Sequence, residues 1–242
     1  MSAVTEMTVA HVTETSVDDP IARAAAFGLL AAMLGPRIDA WSPTEVDALA
    51  TAATRLGTDL TEGLRALAPD RADEHADRHS HLFAQVRVAP YESSYVKAGA
   101  GGHTGRLADI AGFYRAFGFE VRGERPDHVV AELEFASHLA IGVAHARTTG
   151  DAEAVEVYEH AWHTFVRDHL GGWLDRFAAR LEAIDPGGPF APVVRAAARL
   201  VAGEAARLGV LVVEVDDDGA LGELGEDGCG LECGGCGDLP RP

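Results

Sequence analysis

Cysteine is absent from this 242-residue chain until position 229, and its three copies then fall together at Cys229, Cys233 and Cys236. No disulfide framework can brace the body, so packing must supply its stability. Bases are scarce too: 20 Lys and Arg stand against 38 Asp and Glu, a formal charge of -18. A surface that acidic cannot neutralise phosphate, which excludes nucleic acid as an expected ligand and favours a basic partner. Apolar runs stay short of the roughly 20 residues a membrane-spanning helix needs, so membrane insertion is not expected. The opening MSAVTEMTVAHVTETSVDDP carries acids where a secretory signal carries bases, which points to a cytoplasmic chain. No internal repeat is visible.

What is present suffices for one sizeable core, with 47% hydrophobic residues patterned at helical spacing. Asp18-Asp19-Pro20 signals an N-cap and Gly35-Pro36 a stop, framing a first helix. Ser42-Pro43-Thr44-Glu45 reads as a capping box with proline at the first helical position, opening a second helix that ends near Gly57. A further helix is expected from Thr58 to Ala68, and Asp70 should cap another over 71–86, where His75 and His79 stand one turn apart. RVAPYESSYVKAGAGGHTG interrupts as a loop before helical spacing resumes at Leu107, Ile110, Ala111, Tyr114 and Phe117. Helices then follow at Pro126–Arg147, Asp151–His169, Gly172–Ile184 and Phe190–Leu208, and Val210–Val213 is the one strand-like run. The expectation is an all-α, single-domain helical bundle over 18–214, with a loose polar arm at 1–17 and a flexible acidic tail rich in glycine and bearing the cysteines at 215–242.

The stretch GERPDHVVAELEFASHLA places acids and imidazoles among apolar residues. A helix starting at Pro126 puts Asp127 in its first turn, where a carboxylate meets the positive end of the helix dipole. His128 then shares a face with Glu132, Phe135 and Leu139, while Glu134 and His138 lie on the neighbouring face. Polar groups inside a bundle need hydrogen bonds or a ligand, and a cap with a solvated face is the plainer reading. A helical metal-binding enzyme using Glu/His ligands is the alternative. Glu134/His138, Glu156/His160 and Glu159/His163 are one turn apart, but the paired Glu-x-x-His of di-iron bundles is missing and HAWHTF lacks the glutamate of a zinc-protease motif. The tail's Cys229-x3-Cys233-x2-Cys236 could hold zinc or an iron-sulfur cluster with a fourth ligand from elsewhere, or stay a metal-free reduced segment. KAGAGGHTG lacks the spacing of a phosphate-binding loop.

PYESSY, followed after a glycine-rich gap by FYRAFGF and ERPDHVVAELEF, resembles the TorD/DmsD/NarJ group of redox-enzyme maturation chaperones, in particular the branch serving the type II DMSO reductase family of molybdenum enzymes. FVRDHLGGWLDRFAARLEA and PFAPVVRAAARLV are similar to that family's His-Leu-x-x-Trp helix and the helix after it, so the likeness runs from about Ala24 to Leu208. The resemblance implies an all-helical cytoplasmic protein with no reaction of its own and no required cofactor. It implies binding to the twin-arginine signal peptide of an apo-molybdoenzyme catalytic subunit and help with molybdopterin insertion before export, by a monomer or a homodimer. It makes Tyr91, Glu92 and Tyr95 candidates for lining the peptide site beside an Asp127–His128 dyad. Residue chemistry agrees: guanidinium groups favour bidentate carboxylates, which Glu92, Asp127, Glu132 and Glu134 could offer, with Tyr91, Tyr95, Phe113 and Phe135 as apolar walls. The expected partner-binding set is Tyr91, Glu92, Tyr95, Asp127, His128 and Glu132.

Overall fold

Asp19 accepts hydrogen bonds from the backbone N–H groups of Ile21 and Ala22 and starts helix α1 (Pro20–Leu34), which Gly35 closes. The structure, a computed structural model, describes residues 18–36, 41–60, 64, 72–97 and 101–210. Helix α2 (Pro43–Arg55) opens on the expected capping box, Ser42 and Glu45 each satisfying the other's backbone N–H. Helix α3 (Ala72–His79) runs into one π turn, Ser80–Ala84, so the stretch read as one helix changes its winding before the loop. Helix α4 is Gly102–Ala116 and α5 is Val129–Thr149. Gly150, in the left-handed region at φ 73°, ends α5, and Asp151 immediately caps α6 (Ala152–Asp168). A 3₁₀ turn at Leu170–Gly172 leads to α7 (Leu174–Ile184), and α8 (Phe190–Leu208) completes the described chain.

The described residues contain no strand, only an isolated antiparallel bridge between Tyr91 and His128. The arm at 1–17, most of the expected Thr58–Ala68 helix, Leu211–Val213 and the whole 215–242 tail lie outside the described residues. So do Cys229, Cys233 and Cys236.

Helix α5 is the centre of the bundle, packed against α1 and α6, while α7 packs on α8 and α2 on α1. Contrary to the reading of short apolar runs, α5 is long and apolar enough to cross a membrane, with a mean hydropathy of 1.2; here 56% of that window is buried inside the protein. A core helix surrounded on several sides is apolar nearly all round, and composition cannot tell that from a span. Close approach shapes its surface: a Cβ at Gly142 would run into the Tyr158 ring on α6. Across the α1 contact, Ser137 Oγ donates to the Ala24 carbonyl at 2.8 Å.

One end of the bundle is tied by charge. Arg23 is fully buried; its Nε donates to Glu204 at 3.0 Å, and Glu204 also accepts from Trp162 Nε1 at 3.0 Å. Asp18, Arg147, Glu159 and Arg207 complete this cluster across α1, α5, α6 and α8. Elsewhere Trp41, His75, His79, Phe83 and Phe190 pack ring on ring, which uses the α3 histidines as aromatic filling.

Candidate functional site

Two motifs far apart in sequence meet as backbone. The Glu92 N–H donates to the Asp127 carbonyl at 2.9 Å and the Val129 N–H to the Pro90 carbonyl at 2.8 Å, laying PYESSY alongside ERPDH. The Tyr114 hydroxyl donates to the Pro126 carbonyl at 2.7 Å and the His128 N–H to the Arg125 carbonyl at 3.2 Å, so the turn is held from inside. That pairing corrects the expected helix start. Pro126, Asp127 and His128 are spent on the turn, and α5 begins only at Val129. His128 is the N-cap: its Nδ1 accepts from the Val130 N–H at 3.2 Å. The ring therefore carries its proton on Nε2, and burial holds its pKa below the usual value although Glu124 and Asp127 pull the other way. Its edge faces the Tyr91 ring at 5.5 Å.

Asp127 does not serve the helix. Its carboxylate is fully buried and gripped by a fork: Arg125 Nε donates to Oδ1 at 3.0 Å and Nη2 to Oδ2 at 2.8 Å, while the Ser93 N–H donates to Oδ2 at 3.2 Å. The same guanidinium donates to Ser93 Oγ at 2.8 Å and stacks over the Tyr91 ring at 4.3 Å. Tyr91 in turn donates to Glu124 at 3.3 Å, and its hydroxyl pKa is raised, first by desolvation and then by that carboxylate. The outcome is a bidentate clamp with an aromatic face, filled by the chain's own Arg125.

Glu92 lies on the other side of the loop, fully buried, and accepts from Arg106 at 2.5 Å. His169 stands between carboxylates, Nδ1 3.2 Å from Glu92 and Nε2 3.3 Å from Asp109. Arg106 reaches the Asp168 carbonyl at 3.2 Å as well. These groups line a cleft of about 530 Å³ whose floor includes Gly101, Gly102 and Gly105 at the start of α4. Sequence reasoning assigned no role to Arg106 or His169. Their signal was present, since His169 opens the HLGGW segment, but nothing local announced that it would reach Glu92.

Glu132 was expected to face a partner, and the structure seals it in the core. Its Oε2 accepts from Trp173 Nε1 at 3.2 Å, and burial, reinforced by the Glu92 carboxylate, raises its pKa well above the ordinary range. Tyr95 stacks on Trp173 with centroids 5.6 Å apart and donates its hydroxyl to the Ala89 carbonyl at 2.8 Å, so it packs against the core. Phe135 is likewise fully buried. Glu134 is exposed, and His138 Nε2 meets the Phe117 carbonyl at 3.0 Å.

A second groove of about 660 Å³ runs between α4 and α6, with Phe113, Phe117 and Val157 as its apolar surface and Glu153, Glu156 and His160 beside it. Phe113 belongs to both regions, meeting the His169 ring edge-on at 5.7 Å. Among the described residues, no group of three or more His, Cys, Asp or Glu is arranged to hold a metal ion.

Residues 20–179 match the family described as nitrate reductase delta subunit. The chain is similar to the selenate reductase assembly chaperone protein of Thauera selenatis, 35% identical over 111 residues that cover 45% of this chain and 55% of that one. It is also similar to the chlorate reductase assembly chaperone protein of Ideonella dechloratans, 36% identical over 87 residues that cover 35% of this chain and 44% of that one. The matched segments thus span about half the length of these relatives. No solved structure matches the chain.

Proposed function

Because the chain belongs to the nitrate reductase delta subunit family, we propose that it is a chaperone dedicated to the assembly of a molybdenum oxidoreductase. In this reading it works in the cytoplasm, as a monomer or homodimer, and catalyses no reaction. It binds the apo-catalytic subunit through its twin-arginine signal peptide and assists molybdopterin insertion before export. No cofactor is required, and zinc or an iron-sulfur cluster at Cys229, Cys233 and Cys236 would be an accessory of the tail.

The observation that carries this reading is the clamp at the junction of the two motifs. Tyr91, Ser93 and Asp127 present the chemistry an arginine side chain seeks: a buried carboxylate for its fork and a ring for its face. The named relatives, assembly chaperones of selenate and chlorate reductases, support the same direction. An apolar stretch following the arginines would lie against Phe113, Phe117 and Val157, whose neighbours Glu153 and Glu156 suit a basic flank. His128 and Tyr95 orient the clamp; Glu92 and Glu132 stiffen it from behind.

A net charge of -18 steers a basic peptide toward such a site, and that help fades as salt rises. Fluorescence anisotropy of a labelled leader tests the reading. Binding should weaken with salt and on replacing both arginines by lysine, which keeps charge but loses the fork. Affinity indifferent to both changes would refute it.

A further inference from the structure

The clamp has an occupant already, and that occupant tells what the site is for. Arg125 is not part of a helix or a packed layer; it sits in the exposed Arg122–Arg125 stretch, its side chain 45% exposed although the carboxylate it grips is fully buried. Its guanidinium makes every contact a visiting arginine would make: two bonds to Asp127, one to Ser93 Oγ and the Tyr91 ring face. The socket itself comes from other residues, rigidly placed. Tyr91 and Ser93 belong to the loop stitched by backbone bonds to Asp127 and Val129, and Ser93 also points its N–H at the carboxylate. The socket's carboxylate is buried, and the plug is a half-exposed side chain.

Resting on the leader-binding reading above, we propose that Tyr91, Ser93 and Asp127 form a guanidinium-binding site that Arg125 occupies in the free protein and yields to an arginine of the partner. Self-occupation keeps Asp127 paired when no partner is present, since an uncompensated buried carboxylate is costly. It also sets a threshold for entry, because the apparent affinity falls by the fraction of time the socket is filled. A lysine, a point charge without the fork, displaces Arg125 poorly, so the exchange selects arginine over other bases. Glu124 is the natural receiver of the released guanidinium, being adjacent in the chain and already held by Tyr91.

Arg125→Ala empties the socket. N-methylguanidinium at several times its Kd should then raise the melting temperature of this variant by roughly 2 °C or more, while methylammonium at equal ionic strength does not. Wild type, whose socket is mostly filled, should need about tenfold more methylguanidinium for the same rise, and Arg125→Ala/Asp127→Asn, whose socket lacks its charge, should not respond. The variant should bind a twin-arginine leader about tenfold tighter than wild type if Arg125 fills the socket about nine times in ten, and a leader with lysines in place of the arginines should gain nothing. Arg125→Lys, which keeps a cation beside Asp127, guards against misfolding of the alanine variant and should also bind the leader more tightly than wild type. Equal responses of wild type and Arg125→Ala to methylguanidinium would overturn the site. Leader binding to both with equal strength, or more weakly to Arg125→Ala, would overturn the exchange and leave the leader reading intact. A leader ignored by both, with methylguanidinium still stabilising the emptied socket at the lower concentration, would support the site and reject the leader as its partner.

Discussion

Glu132→Gln changes little in shape and removes one titration from the centre of the protein. The carboxyl is fully buried, with Trp173 Nε1 donating to Oε2. Burial is the main force on its pKa, the Glu92 and Asp127 carboxylates push the same way, and the Trp173 bond and Arg106 only partly oppose them. The folded chain therefore favours the protonated side chain over a pH range in which the unfolded chain has already ionised. A raised folded value means the group's contribution is complete below the ordinary value of 4.5 and drains away as pH climbs toward the folded value. The loss is about 1.4 kcal/mol for each pH unit in that window. Glutamine accepts from the same indole and does not titrate. The variant should thus lie within about 1 kcal/mol of wild type near pH 4.5 and gain on it steadily as pH rises above that value. Urea unfolding followed by tryptophan fluorescence at several pH values from about 4.5 to 7 measures the difference. Two stability curves running parallel would show that Glu132 titrates normally. A variant falling further behind as pH rises would show an ionised, paired carboxylate and refute the reasoning outright.

His128→Asn keeps a helix-capping side chain and removes the imidazole; with the folded pKa depressed, wild type should lose stability relative to the variant as pH falls below 6.5, which thermal melts over about pH 5 to 7.5 will read. Gly142→Ala drives a methyl into Tyr158 and should cost about 1 to 3 kcal/mol by chemical denaturation, with partial recovery when Tyr158→Leu is added. Arg23→Ala leaves Glu204 with Arg207 and Trp162 only and should cost about 3 kcal/mol; a melt close to wild type would mean Arg207 compensates fully.

Where chain signals are local, the amino-acid sequence is a sufficient guide. Asp19 before Pro20, the Ser42–Glu45 box and Gly150-Asp151 each act over a single turn, and the helices they bound lie where those residues put them. Pro126 misleads for the same reason. It is a good first residue for a helix, but Asp127 and Val129 find backbone partners in the Pro90–Glu92 loop, and those bonds postpone the helix to Val129. Tyr91, Asp127 and His128 were legible as motif residues. That Asp127 is already gripped by Arg125 was not, since residues two apart face each other only in a turn whose shape the loop dictates.

By itself, then, the sequence determined an all-α bundle, most of its helix ends and its acidic character, because capping, apolar spacing and net charge are properties of neighbouring residues or of composition. Only the tertiary structure decided which acids face inward and what each one meets. Glu132 reads like Glu134, two positions away, yet one is sealed against Trp173 and the other is exposed. Glu92 finds Arg106 and His169 across separate elements, and Asp127 finds Ser93. The physical reason is that burial and pairing of a charge depend on surfaces brought together by packing from distant parts of the chain, and helical periodicity does not encode which face the bundle will cover.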